Sequence, residues 1–244
     1  MVFVIRRRWS GAAVATVMLA TVLAAGGSAA AIAATSSRSA PSALTASTRL
    51  APFPGKTPRE ILNLVVSTMG KAASAHIRDR TVVNGSLASG DWVAGVSAGT
   101  GTQRTLFGST FRVIRVGSGE WLWGDAAFWA GKNAPAGYVG HWVRLTSADY
   151  RAFAAFTYLS EWAKQVSGQQ PVARVPGRAL HGLPTLGLRD RSGIVLYVAT
   201  RGKPYPQLLS YPSTHGQSDA VEYDRWDAPV KISPPPANQV VGNI

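Results

Sequence analysis

The sequence has no cysteine among its 244 residues. The chain therefore has no disulfide framework, no thiolate nucleophile and no Cys-based zinc or iron–sulfur site. It also has no cysteine that could be acylated, as in bacterial lipoproteins. The fold must be held together by its hydrophobic core alone, and we expect no cofactor.

Acidic residues are scarce: 12 Asp and Glu stand against 25 Lys and Arg, a formal net charge of +13 at pH 7. For a protein inside a cell, this excess of positive charge suggests nucleic acid as a binding partner. For an exported protein, the anionic partners are phospholipid headgroups and cell-wall polymers. No basic run is longer than the three arginines at positions 6–8, so the charge is also consistent with solubility alone. We expect an anionic membrane surface as a partner and no nucleic acid.

The N-terminus has the layout of an export signal. Three arginines precede residues 11–34, which carry no charge and end in small residues that fit the A-x-A pattern of signal peptidase. We predict that residues 1–34 are a signal peptide, cleaved after Ala33 or Ala34. The uncharged stretch is also long enough to cross a bilayer, so an uncleaved membrane anchor is the alternative. Either assignment places the protein outside the cytoplasm or in the cell envelope.

The rest of the chain divides into three parts. Residues 35–56 are rich in Ser, Ala, Thr and Pro and are too poor in large apolar groups to build a core, so they are predicted to be a tether. Residues 57–236 suit one domain with a sizeable core. Residues 237–244 are predicted to be a disordered tail.

The first half of the domain is predicted to be one helix followed by a meander of antiparallel strands. Thr57, Pro58 and Glu60 form a capping box that starts an amphipathic helix over residues 58–73. After it the apolar period changes to two, and Gly-rich connections, including residues 99–101, separate the strands. The predicted strands are residues 75–83, 91–98, 103–107, 111–116 and 120–123.

Helical segments then interrupt the strands before a second series begins. A short helix is predicted over residues 125–131, a strand over 141–145, and a longer helix from Thr146 to Val166 that ends before Gly168. With few helices to cover the sheet, the predicted fold is α+β: a single strongly curved antiparallel sheet, a half-barrel, wrapped around two or three helices. The later predicted strands are residues 173–178, 183–189, 193–200, 207–211, 220–223 and 230–233.

The sequence resembles the LolA-like half-barrel proteins, and most closely the actinobacterial LppX/LprG-type secreted proteins and lipoproteins. The matching stretches are EWLWGDAAFW at 120–129, GHWVRLTSAD at 140–149, GIVLYVATRGKPYP at 193–206 and YDRWDAPVKISPP at 223–235. The resemblance implies a curved sheet over helices, with an apolar cavity that takes up the acyl chains of a lipid or glycolipid. In such a fold, residues 201–206 bridge two neighbouring strands, with Gly202 at positive φ.

Aromatic residues are the candidate lining of that cavity. Trp121 and Trp123 share one face of a strand with Leu122 on the other, and further aromatic residues lie on the helices. The same residues also fit a filled core, in which case the protein is an envelope scaffold or sensor that binds a protein partner. The candidate cavity residues are Trp121, Trp123, Phe128, Trp129, Phe153, Phe156 and Trp162.

Catalytic and metal-binding patterns are weak. Residues 95–99, GVSAG, match the G-x-S-x-G nucleophile elbow around Ser97, but a strand follows where the elbow needs a helix. His76 lies three residues before Asp79, yet on a strand that spacing places the two on opposite faces. The later acidic residues, such as Asp224, are predicted to be solvated surface charge. We expect an exported cell-envelope protein that binds or carries a lipid or lipid-anchored molecule in an apolar cavity, with no catalytic activity and no metal site.

The export assignment predicts the start of the mature chain. N-terminal sequencing of protein recovered from its native host should begin at Ala34 or Thr35, because the small-residue pattern ends there. Recovery of intact Met1 or Val2 in the membrane fraction would identify a retained anchor instead.

Overall fold

A computed structural model describes residues 52–213 and 217–244. The predicted signal peptide or anchor and most of the predicted tether lie outside the described residues. In the described ranges, no helix has the length and apolar character needed to cross a membrane.

The first helix, α1 (Pro58–Met69), begins as the sequence predicts. The Thr57 hydroxyl accepts from the Glu60 backbone N–H at 3.2 Å, and the Glu60 carboxylate accepts from the Thr57 backbone N–H at 2.7 Å. This reciprocal pair satisfies two N–H groups that the helix itself leaves unpaired. The helix stops at Gly70, short of the predicted end. Its buried face consists of Ile61, Leu62, Val65 and Met69.

One large curled sheet dominates the domain, and the predicted α+β half-barrel is confirmed. Its strands run in the order β13-β6-β5-β4-β3-β2-β1-β12-β11-β10-β9-β7, with β8 paired to β9 beside this path. All neighbours are antiparallel except β13, which is parallel to β6. The strands are β1 Ser74–Val83, β2 Ser86–Gly95, β3 Ala98–Arg104, β4 Thr110–Val116, β5 Gly119–Gly124, β6 Trp142–Arg144, β7 Pro171–Val175, β8 Ala179–Leu180, β9 Leu183–Asp190, β10 Val195–Ala199, β11 Pro206–Ser210, β12 Gln217–Asp224 and β13 Val240–Asn243.

Short helical segments connect the two halves of the sheet. Asp125 caps the predicted short helix by accepting from the Phe128 backbone N–H at 2.7 Å. The prediction of a single longer helix from Thr146 to Val166 is wrong. The backbone of Tyr158 is extended and divides this region into separate helical segments. The segments are α2 Ala126–Ala130, α3 Ala148–Arg151, the 3-10 helix Ala152–Thr157 and α4 Leu159–Ser167.

The glycines at 99 and 101 lie inside β3, not in the predicted turn. The actual β2–β3 connection is the tight turn at Val96 and Ser97. A Cβ on Gly101 would stand 2.2 Å from Trp92 Cε3, and one on Gly99 would stand 2.5 Å from the carbonyl oxygen of Thr157. These glycines are therefore required for close approach of neighbouring groups, which sequence patterns do not distinguish from turn formation.

The C-terminal segment differs from the predicted disordered tail. Residues 237–244 contain a 3-10 turn and strand β13, and the carbonyl oxygen of Ile244 accepts from the Thr146 hydroxyl at 2.8 Å and from the Ser147 backbone N–H at 2.9 Å. Edge pairing with β6 orders a segment that is too short to fold alone. Residues 230–233, by contrast, form no strand.

The connection between β10 and β11 follows the prediction. Gly202 has φ of 74°, and Pro206 opens β11 directly after the connection. The register between the two strands shifts at Tyr197 and Val198. The prolines thus limit where pairing resumes.

Arg174 ties the start of the described chain to edge strand β7. Its guanidinium donates to the Phe53 carbonyl at 2.8 Å and also to the carbonyls of Pro52 and Lys56. Phe53 packs against the core. Residues 52–56, assigned to the tether by composition, are thus bonded to the domain.

Substitution of Gly101 should test the close approach in β3. Gly101→Ala introduces a Cβ that meets the Trp92 ring and the backbone of Asp91, so we expect a loss of about 1–3 kcal/mol in the free energy of unfolding, measured with urea. Gly137→Ala is the matched control, because nothing lies within 4 Å of its added Cβ. Equal stability of the two variants would contradict the packing described for Gly101.

Candidate ligand-binding interior

The inner face of the sheet, which is turned toward the helices, carries an apolar row across strands β9 to β12. Leu188, Leu196, Leu209 and Val221 lie opposite one another in register, and each is at most 6% exposed. Beyond Val221 the same row crosses β1, β2 and β3 and ends on β4. Its members on these four strands are Asp79, Gly90, Gln103 and Phe111.

Five of the seven predicted cavity residues meet in one aromatic cluster on this inner face. Phe156 stacks on Trp92 with ring centroids 4.7 Å apart, and Phe153 meets Phe111 edge-on at 5.0 Å. The cluster extends to Tyr223, whose ring is 6.4 Å from that of Trp162. The predicted members are Phe128, Trp129, Phe153, Phe156 and Trp162, and those absent from the prediction are Trp92, Phe111 and Tyr223.

Trp121 and Trp123 lie on the other face of β5. Leu122 between them is completely buried in the core, whereas both tryptophans remain partly exposed. Trp123 lies under the guanidinium of Arg112, 4.9 Å from its ring centroid, and opposite Trp142. The alternation was predicted correctly, but the inward face is the one that carries Leu122.

A carboxylate lies within this apolar interior. Asp79 accepts from the Trp92 indole N–H at 2.8 Å and from the Gln103 amide at 3.4 Å. A Cβ on Gly90 would lie 2.0–2.4 Å from atoms of these three side chains, so the glycine provides the space in which they meet. Burial raises the pKa of the Asp79 carboxyl above its ordinary range, and the hydrogen bonds lower it only in part.

Polar atoms near Asp79 have no hydrogen-bond partner among the described residues. They are the Tyr223 hydroxyl, Oε1 of Gln103 and Oδ1 of Asp219. Tyr223 is completely buried and Gln103 is 6% exposed. Burial also raises the pKa values of Tyr223 and Tyr211. Such buried polar atoms are ordinarily satisfied by water or by a ligand.

Apolar surface remains accessible inside the curve of the sheet. Leu186, Ile194 and Tyr211 occupy inner-face positions and pack against the core, yet each is only partly buried. Phe153 and Phe156 on the 3-10 helix are also partly buried. The backbone of the 3-10 helix approaches β2–β5, and the backbone of α1 approaches β7. Helix backbone stays farther from β1 and from β9–β12.

Arg115 connects the sheet to the helical insert. Its buried guanidinium donates to the carbonyl oxygens of Gly95 at 2.6 Å and Thr157 at 2.9 Å. The same group lies 4.0 Å from the ring centroid of Tyr158, whose hydroxyl donates to Glu120. Arg115 therefore holds the end of the 3-10 helix against the β2–β3 turn.

Ser97 and His76 occupy positions unsuited to the reactions that their motifs suggest. Ser97 is exposed in a tight turn between two strands, without the helix of a nucleophile elbow. His76 faces away from Asp79, as predicted, and lies 2.6 Å from Asp224 and 3.0 Å from Asp91 on the neighbouring strands. The prediction that Asp224 is a solvated surface charge is wrong. The described residues hold no group of His, Cys, Asp and Glu suited to a metal ion.

Solved structures with a similar fold include LppX-type proteins. LprF from Mycobacterium bovis is 12% identical with a TM-score of 0.47, over 73% of this chain and 96% of that one. The lipoprotein LppX from Mycobacterium tuberculosis is 14% identical with a TM-score of 0.45, over 72% and 98% of the two chains. A LolA superfamily protein from Nitrosomonas europaea is 12% identical with a TM-score of 0.28, over 73% and 96%.

These proteins are of the type that the sequence resembles. No protein-family model matches the chain, and no curated protein matches it by sequence. At these identities the likeness concerns the fold alone, and no ligand is inferred from it.

The buried carboxyl predicts a pH-dependent difference in stability between wild type and Asp79→Asn. Because the folded-state pKa is raised, the contribution of Asp79 to stability is present below its unfolded pKa and is lost as pH rises through the folded value. Asp79→Asn should therefore be the more stable protein at pH 7, with the difference shrinking toward pH 3. Urea unfolding across this range measures it. Greater stability of wild type at pH 7 would show that the hydrogen bonds outweigh desolvation.

Proposed function

We propose that this domain binds a lipid on the inner face of its sheet and carries it in the cell envelope. The accessible apolar surface around Leu186, Ile194 and Tyr211 is the observation that supports this best, because it lies inside the curve. Burial of an acyl chain there contributes about 0.8 kcal/mol per methylene group. No covalent step is part of the proposal.

The aromatic cluster forms one wall of the proposed site. Phe156 stacks on the buried ring of Trp92 and stays partly exposed, so an acyl chain can contact its accessible surface without displacing the core. Among the residues proposed from the sequence, Phe156 is the best placed to touch a ligand. Phe128, Trp129 and Trp162 are buried members of the same aromatic cluster.

Trp121 and Trp123 are not part of the proposed acyl-chain site. Both lie on the outer face, so they are not assigned to the acyl-chain site.

A polar group of the lipid would lie near the centre of the sheet. The Tyr223 hydroxyl and Oε1 of Gln103 are unpartnered within the described residues, and the Asp79 carboxylate lies beside them. These atoms match a ligand hydroxyl, which both donates and accepts, and because they are buried the side chains that cover them must move apart for the ligand to reach them. A lipid with a hydroxyl near its chain is therefore a better fit than a plain hydrocarbon.

Export and membrane contact complete the proposal. The charged and uncharged regions at the N-terminus fit export, and the excess of Lys and Arg favours approach to anionic lipid surfaces. Such attraction is screened over about 8 Å at physiological salt, so it assists encounter and does not fix the ligand. A glycolipid is included among the proposed ligands.

The second candidate function is binding of a protein partner. Strand β7 is an edge of the sheet, and Val172 on it is 52% exposed. An exposed edge can pair with an added strand. Binding of a protein partner requires no ligand inside the domain. A titration with a lipid probe therefore distinguishes the lipid-binding function from the protein-binding function.

Titration of the full-length protein with a fluorescent fatty acid tests lipid binding. We expect saturable binding to wild type and a loss of at least tenfold in affinity for Leu186→Arg, because the charge would lie on the apolar inner face. Leu186→Met should retain binding, since it conserves side-chain volume. Val96→Arg is the charge-matched control, because Val96 is 73% exposed at the β2–β3 turn.

Thermal melts of the same four proteins identify any variant that has unfolded. Absence of uptake by folded wild-type protein would reject the lipid proposal and leave the protein-binding candidate. Equal loss in Leu186→Arg and Val96→Arg would reject the assignment of the inner face.

A further inference from the structure

A pocket lies at one end of the sheet, next to the part of the aromatic cluster formed by Tyr223. Three chain segments meet there: the β8–β9 turn at His181, the β10–β11 connection at Arg201 and Lys203, and the end of β12 at Arg225 and Trp226. The pocket has a volume of about 400 Å³. Pockets that hold small molecules are roughly 300–1,000 Å³, so this one suits a compact ligand.

The pocket is positively charged because the nearby carboxylates are already engaged. Asp224 lines the pocket, but it lies 2.6 Å from His76 and 3.3 Å from Arg78. Asp227 accepts from Lys203 at 2.7 Å and from the Tyr205 hydroxyl at 2.8 Å. Each carboxylate thus has its partners within the protein.

Two arginines of the pocket have no such partner. Within the described part of the chain, neither Arg201 nor Arg225 makes a side-chain hydrogen bond or an ion pair, and both are exposed. Arg225 and His181 also adopt left-handed backbone, with φ of 48° for each. Among residues other than glycine this conformation is uncommon and favours Asn, Asp and His, so Arg225 is the unusual one of the two, and such backbone clusters at functional sites.

A rigid aromatic base supports these cations. Trp226 stacks on Tyr205 with ring centroids 4.3 Å apart and planes 6° from parallel, and its indole N–H donates to the Pro206 carbonyl at 3.1 Å. The prolines of the β10–β11 connection restrict the same segment. The arginines therefore project from a fixed surface, which reduces the entropy lost when a ligand binds.

We propose that this pocket binds a phosphate group, with Arg201 and Arg225 as its principal ligands. Guanidinium groups donate paired hydrogen bonds that match phosphate oxygens, and the pocket places two of them together without competing carboxylates. The phosphate belongs either to a small soluble phosphomonoester or to the headgroup of a phospholipid. This site is separate from the proposed acyl-chain site and does not depend on it.

Calorimetric titration of the full-length protein with glycerol 3-phosphate tests the proposal, at constant ionic strength and with glycerol as the unphosphorylated probe. We expect one saturable site in wild type and at least tenfold weaker binding in the double variant Arg201→Gln, Arg225→Asn. Asparagine is chosen at 225 because it tolerates left-handed backbone. Both side chains are exposed and unpaired among the described residues, so thermal melts should match wild type.

The matched control removes two positive charges elsewhere. Arg80→Gln, Arg104→Gln changes two exposed arginines that lie in one cross-strand row toward the C-terminal ends of β1 and β3, the ends away from the pocket, and this variant should bind within twofold of wild type. Co-sedimentation with phosphatidylglycerol vesicles forms the second arm. Binding to vesicles alone, lost in the pocket variant and kept in the control, would identify a lipid headgroup as the source. Binding to neither probe, or equal loss in both double variants, would overturn the proposal.

Discussion

The buried guanidinium of Arg115 is the interaction on which the arrangement of sheet and helices depends. It donates to the carbonyl oxygens of Gly95, next to the β2–β3 turn, and of Thr157 in the 3-10 helix, where a backbone bridge between Gly95 and Tyr158 joins the same segments. Because Thr157 is held in this way, the chain must leave the helix at Tyr158 and begin α4 in a new direction. That direction places Trp162 on the inner face beside Tyr223. The aromatic wall of the interior is thus positioned by one charged residue that touches no proposed ligand.

Much of the fold could be predicted because it depends on local rules. The capping box of α1, the period of two after it and the hairpin at Gly202 all follow from neighbouring residues. The break in the second long helix could not be predicted, because its cause, Arg115, is more than 40 residues earlier in the chain. The role of Gly101 was hidden for the same reason, since the side chain that needs its space belongs to another strand.

The candidate site was predictable in composition but not in orientation. Aromatic enrichment identified the members contributed by the helices, while the pattern of β5 gave two faces and no means of choosing the inner one. The spacing of His76 and Asp79 along one strand does not reveal what the Asp79 carboxylate contacts. Its actual partners, Trp92 and Gln103, lie on two adjacent strands, so their meeting depends on register across the sheet. Pairing of this kind is set by tertiary structure and leaves no spacing signal in one chain.

The hydrogen bonds of Arg174 attach the first described residues to the sheet. Its guanidinium donates to their backbone carbonyls, and Arg174 belongs to an edge strand, not to a helix. A force applied to the chain at Pro52 can therefore pass through Arg174 into β7 as well as along the backbone to α1. Helix α1 packs beside α4. The sheet thus shares a load that would otherwise fall on the helices alone.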